Sequence, residues 1–205
     1  MGTNSPLRKQ QTDEPVNIGD RAIDNVRYIR EMMERSASFT AVPGYGGMLM
    51  GTTAIVAAYI SNRQVYTVDA LGVWLIEAFL ALAIGLLAMW QKSKIAGESL
   101  ISAPARKFAF GFIPPLIVGV IVVLGLWGRG HYDALAPVCI VTYGAAVVCG
   151  GSFSVRAVPI MGWCFIALGA VAFALPPAYG NLMMGAAFGL VHIIFGAIIA
   201  RKYGG

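Results

Sequence analysis

Two ionisable side chains, Glu77 and His192, stand inside long stretches of the sequence that otherwise carry no charge. A carboxyl group and an imidazole are both acid/base groups, and these two are the candidate intramembrane polar site. An ionised carboxylate at bilayer depth costs several kcal/mol, so such groups face a bundle interior or water rather than lipid. Helical spacing places Glu77 on one face with Ala81, Gly85 and Ala88. It places His192 with Gly185, Gly189, Gly196 and Ile199. Both faces are stripes of small residues suited to close helix contact. Two readings stay open. In one, the two side chains meet across the bundle in a shared polar path. In the other, which is the simpler, each bonds separately to a neighbouring helix.

No reaction follows from two residues. The sequence holds no phosphate-binding glycine loop, no HExxH helix and no nucleophile elbow. Cys139, Cys149 and Cys164 lie in apolar stretches without CxxC spacing and read as small buried residues. The expectation is therefore a protein that is not an enzyme, with no catalytic residue, no cofactor and no metal site. No basic surface interleaved with aromatics is present, so nucleic acid is not an expected partner.

The elements that position Glu77 and His192 are apolar helices. Of the 205 residues 58% are hydrophobic and 12% are charged, about half the usual charge of a soluble domain. Runs of roughly 18 or more apolar residues are transmembrane candidates. Six spans are expected, at about 44–60, 70–90, 108–127, 134–151, 160–175 and 181–200. The fold class is thus all-α, a polytopic transmembrane bundle preceded by an amphipathic helix on the cytoplasmic side. Pro114-Pro115 is expected to break or kink the third span.

Ahead of the transmembrane domain at 41–205 come two segments. Residues 1–20 are polar, carry Pro6 and Pro15, and read as a disordered tail. Residues 21–40 read as a juxtamembrane helix on which Ala22, Val26, Ile29 and Met33 fall at i, i+4, i+7 and i+11. Those four form the candidate partner-binding face. Charged residues cover the other faces, with Arg27/Glu31, Arg30/Glu34 and Glu31/Arg35 at i,i+4 distance.

Six spans put both termini on one side. With the N-terminus inside, thirteen of the 15 Lys and Arg residues fall inside, and two, Arg63 and Arg129, fall outside. Positive residues concentrate on the cytoplasmic side, so the expected orientation is N-in, C-in. A weak internal repeat accompanies this. Ala41-Val42-Pro43-x-x-Gly46 recurs as Ala157-Val158-Pro159-x-x-Gly162, and Ser-Phe precedes each (Ser38-Phe39, Ser152-Phe153). It suggests three helical hairpins of one design, although recurrence by chance is as easily had in this composition.

The segments IREMMERSASFTAVPGYGG (Ile29 to Gly47), SAPARKFAFGFIPP (Ser102 to Pro115), GGSFSVRAVPIMG (Gly150 to Gly162) and GLVHIIFGAIIARKYGG (Gly189 to Gly205) carry a resemblance. The chain resembles a family of short, uncharacterised bacterial membrane proteins with six helices. The resemblance implies a multi-pass protein of the bacterial cytoplasmic (inner) membrane and brings no activity and no site residues. Two function classes follow: a non-catalytic interaction or regulatory membrane subunit, and a small transporter or channel-like protein using Glu77 and His192. The expected partners are the lipid bilayer and either a protein partner or a second copy of the chain.

Overall fold

The computed structural model describes residues 18–36, 38–64, 67–97, 99 and 101–204, and it divides into two units, 1–37 and 38–205. The tail expected over residues 1–20 lies almost wholly outside the described residues. The first unit is helix α1, Ile18–Ser36. It begins three residues before the expected start. On it Ala22, Val26, Ile29 and Met33 are exposed, and so are Ile23 and Tyr28 on other faces. Its apolar surface is broader than the four-residue stripe. An exposed ion pair joins Arg27 to Asp24 at 4.0 Å, an i,i+3 spacing. At that exposure it contributes at most about 1 kcal/mol. The three expected i,i+4 pairs each involve Glu31 or Glu34, whose side chains lie outside the described ones.

The second unit is a bundle of antiparallel helices. They are α2 (Gly44–Ser61), α3 (Thr67–Ala96), α4 (Ala103–Gly128), α5 (Leu135–Gly151), α6 (Ala157–Ala174) and α7 (Pro177–Tyr203). Five of them, α3 to α7, are long and apolar enough to cross a membrane. The six-span expectation is therefore met by five on this criterion. Helix α2 occupies the expected place of the first span, but Gly44, Gly46, Gly47, Gly51, Tyr45, Thr52, Thr53 and Tyr59 lower its hydropathy. Glycine is there for approach rather than for apolarity.

The helices outrun the expected spans. Helix α3 has 30 residues, about 45 Å at 1.5 Å per residue, against a hydrocarbon core of about 30 Å. Its last two turns take in residues that the sequence pattern places in a loop. Helix α4 begins at Ala103 because Ser102 caps it, its side chain accepting from the Ala105 amide. Of the break or kink expected at Pro114-Pro115, the break does not occur: α4 runs through both prolines to Gly128. The two prolines cost backbone donors, and within a membrane-type bundle packing of neighbouring helices carries such a helix on.

The packing order across the bundle is α3, α2, α7, α6, α5, α4, with α5 also touching α7. Small residues set how close the axes come. A Cβ on Gly51 of α2 would stand 2.5 Å from the Gly189 carbonyl oxygen of α7. One on Gly196 would stand 2.7 Å from the Gly44 carbonyl. A second seam joins α5 to α6, where a Cβ on Gly162 would lie 2.7 Å from the Val148 amide nitrogen. These are backbone-to-backbone approaches of the small-xxx-small kind.

The two copies of the Ser-Phe repeat touch each other. Phe39 and Ser154 form an isolated parallel β-bridge. The Phe39 amide donates to the Phe153 carbonyl at 2.8 Å, and Ser154 Oγ donates to the Phe39 carbonyl at 2.7 Å. Phe39 and Ala41 are buried there with Ala105, and Val42, Met89 and Phe108 pack on them. The starts of α2, α4 and α6 and the far end of α3 thus converge at one end of the bundle.

Candidate functional site

Glu77 lies on the third turn of α3 and is buried, 7% exposed. Its face packs on α2, where Gly46 meets Ala88 and Gly85 meets the sulfur of Met50. Thr53 Oγ1 of α2 donates to Glu77 Oε1 at 2.8 Å. The same hydroxyl lies 2.9 Å from the Met50 carbonyl one turn back. A hydroxyl has one hydrogen, so it serves one of the two acceptors at a time.

His192 is buried, 5% exposed, near the middle of α7. The seven residues before it, Gly185–Val191, form a π-helix. A π turn holds more residues per turn than an α turn, so it rotates the residues beyond it relative to those before it. Regular α-helical spacing would put His192 on one face with Gly185, Gly189 and Gly196. The structure turns that glycine stripe to α2 and the imidazole to α5 and α6. His192 Nε2 and the Tyr143 hydroxyl of α5 are 2.9 Å apart, and the tautomer decides which of them donates. Nδ1 lies toward the Phe188 carbonyl one turn back, outside hydrogen-bonding geometry.

Aromatic rings surround this bond. Phe165, fully buried, lies 5.3 Å from the His192 ring and 4.9 Å from Tyr143, and Phe188 lies 5.0 Å from Tyr143. The cluster continues through Phe112 and Phe108 to Phe39 at one end and through Trp74 toward the other. Trp74 Nε1 of α3 donates to Asn181 Oδ1 at the start of α7, at 3.0 Å.

Glu77 and His192 are thus each given a separate partner, Thr53 and Tyr143, and α2 packs between the helices that carry them. No hydrogen bond joins the two among the described residues. The residues that complete each pair are visible in the sequence as polar members of apolar spans, but spacing alone does not say which face which. Lys92, a loop residue by sequence pattern, lies on α3. It donates to the carbonyls of Val42, Tyr203 and Gly204 at 3.0, 3.1 and 2.6 Å. It fastens the entry to α2 and the end of α7 to α3.

Energetic coupling should mirror these pairings. Tyr143→Phe and His192→Leu should each destabilise the bundle, and together by less than their sum. The expected coupling is about 0.6 kcal/mol, the average for hydrogen bonds between membrane helices, and at most about 1.7 kcal/mol. Glu77→Gln combined with His192→Leu should be additive. Unfolding by titrated denaturing detergent in mixed micelles reads both cycles. Coupling of Glu77 to His192 as large as that of Tyr143 to His192 would overturn the separate-partner reading.

Among the described residues no group of three or more His, Cys, Asp or Glu side chains is placed to hold a metal ion. Comparison with protein-family models, with curated proteins and with solved structures finds no match.

Proposed function

We propose that the chain is a non-catalytic interaction or regulatory subunit of the bacterial cytoplasmic membrane, with the bundle as its anchor and α1 as the helix that meets a partner. The observation that carries this reading is where the interior polar groups go. Glu77, His192, Trp74 and Lys92 each bond to another helix or its flanking backbone. Side chains used as interhelical ties hold a scaffold together. The exposed apolar side chains of α1, Val26 and Ile29 among them, supply a surface for the partner.

The same proposal takes α2 as a sixth span, because it packs between α3 and α7, both long and apolar enough to cross. Six spans return the chain to the side it left. Lys92, Lys94, Arg106, Lys107, Arg156, Arg201 and Lys202 then share one end of the bundle, which we assign to the cytoplasm on the positive-inside rule. In a cysteine-free background, single cysteines at Gln64 and Tyr132 should react with an impermeant maleimide from outside. One at Ser99 should react only after permeabilisation, and external labelling of Ser99 would overturn the orientation.

The function is tested at α1. A photo-crosslinking amino acid at Val26 or Ile29 should give one discrete adduct in native membranes, and one at Asp24 should not. Val26→Asp plus Ile29→Asp should abolish an adduct formed from Met33 without moving the unfolding midpoint of the bundle. Absence of adducts at all three apolar positions would remove the interaction role.

A small transporter using Glu77 and His192 is the second reading, favoured by the π turn beside His192, since such turns recur at functional sites. Measured coupling between the two side chains would promote it.

A further inference from the structure

We propose that the exposed faces of α3 and α4 at the basic end of the bundle bind an anionic phospholipid. The proposal rests on the bundle spanning a bilayer. The packing order leaves α3 and α4 as the two edge helices. Each has only 6% of its apolar window buried, against 39% to 50% for α5, α6 and α7. At one end the two edges are drawn together, since Met89 of α3 and Phe108 of α4 both pack on the buried Phe39, Ala41 and Ala105. Away from that end α3 exposes Leu75, Phe79, Leu82 and Leu86, and α4 exposes Phe110, Ile113 and Ile117. Two apolar edges joined at one end suit acyl chains.

Charge complementarity says which lipid. Seven described basic residues lie at the joined end: Lys92, Lys94, Arg106, Lys107, Arg156, Arg201 and Lys202. Glu98, the one acidic residue the sequence places there between residues 38 and 205, lies outside the described residues. The opposite end carries Arg63 and Arg129 balanced by Asp69 and Asp133. Lys94 and Arg106 are exposed, one beyond Met89 on α3 and the other just before Phe108 on α4. Lys94 follows Met89 by five residues, about 7.5 Å along the helix, and its ammonium lies 5.2 Å from the centroid of the Trp90 ring. An indole and an ammonium at the depth where α3 outruns the hydrocarbon core are placed for a headgroup. Basic pockets between membrane helices take anionic headgroups in this way. A zwitterionic lipid fills the same apolar edges but gains nothing from Lys94 and Arg106.

The test uses the full chain in nanodiscs of phosphatidylcholine with a minor fraction of phosphatidylglycerol. Lipids retained after transfer to detergent are identified by native mass spectrometry. The wild type should retain phosphatidylglycerol over phosphatidylcholine. Lys94→Gln plus Arg106→Gln should lower that preference by about fivefold per charge at low salt. Arg63→Gln plus Arg129→Gln, at the other end, should leave it unchanged. Added inorganic phosphate should not compete, because the acyl chains supply much of the binding. Equal retention of the two lipids by the wild type would overturn the proposal, and so would an equal loss in both variants or displacement by phosphate alone. A chain recovered without detergent in the soluble fraction would instead defeat the membrane reading itself.

Discussion

Gly51→Val is expected to cost at least about 3 kcal/mol, the upper end of what overpacking costs in a close-packed interior. The reason lies in what the new atoms meet. A Cβ alone on Gly51 would stand 2.5 Å from the Gly189 carbonyl oxygen and 2.9 Å from the Ile193 amide nitrogen. Both are backbone atoms of α7, so no rotamer change relieves the clash, and the two helices must separate along the seam. Separation also loosens Gly44 against Ala200 and Gly196 against Met48, because the three approaches lie on one face. Gly72→Ala is the matched control. Nothing lies within 4 Å of its Cβ position, so the substitution should be neutral or stabilise by helix propensity, up to about 1 kcal/mol. Detergent-titrated unfolding of the three proteins separates the outcomes. A Gly51→Val protein as stable as wild type would mean that α2 and α7 do not pack as described.

Phe165→Ala should give the second large effect. In a soluble core a Phe-to-Ala change costs about 3 to 5 kcal/mol, part of it lost transfer from water. A membrane bundle lacks most of that part, because lipid is as apolar as the interior. The remainder is the cavity. A void on the order of 100 Å³ at about 24 cal/mol per Å³ gives about 2.4 kcal/mol. Phe165 is fully buried against Tyr143, Phe188 and His192, so the void would open beside the Tyr143–His192 bond. Phe173, on the same helix and 55% exposed, should change to alanine at little cost. Comparable losses at both positions would show that the aromatic cluster is not the centre of the bundle.

The apolar helices are legible in the sequence because lipid-facing and buried positions are both apolar, which leaves long runs with few interruptions. Their neighbours are not legible, for the same reason. Spacing puts Glu77 on the small-residue face it occupies, since α3 is α-helical throughout. It does not tell which helices His192 meets: the glycines beside it face α2 while the imidazole meets Tyr143 and Phe165, and the π segment Gly185–Val191 has no periodic signature in GAAFGLV. Glycine misleads in the opposite direction at α2, where residues that permit the closest packing also lower hydropathy. The prolines of α4 do not end it, because the rule that proline stops an isolated helix does not carry over to a helix with a packed neighbour. Nothing in spacing shows that Lys92 reaches three carbonyls, because those carbonyls sit about 50 and 110 residues away along the chain.

The seam between α2 and α7 also orders events during synthesis. Helix α2 precedes the other bundle helices in the chain and α7 follows them, so the Gly44, Gly47 and Gly51 face has no completed partner until α7 has been made. Helix α2 alone among the bundle helices falls short of the apolarity that marks a span, and so has least to gain from lipid alone. Until α7 arrives, α2 is held by α3, through Gly46 and Thr53, and by the pairing of Phe39 with Ser154 once that residue has emerged. The bridge between the two Ser-Phe segments therefore acts as a clasp, keeping an early helix in place for a late one.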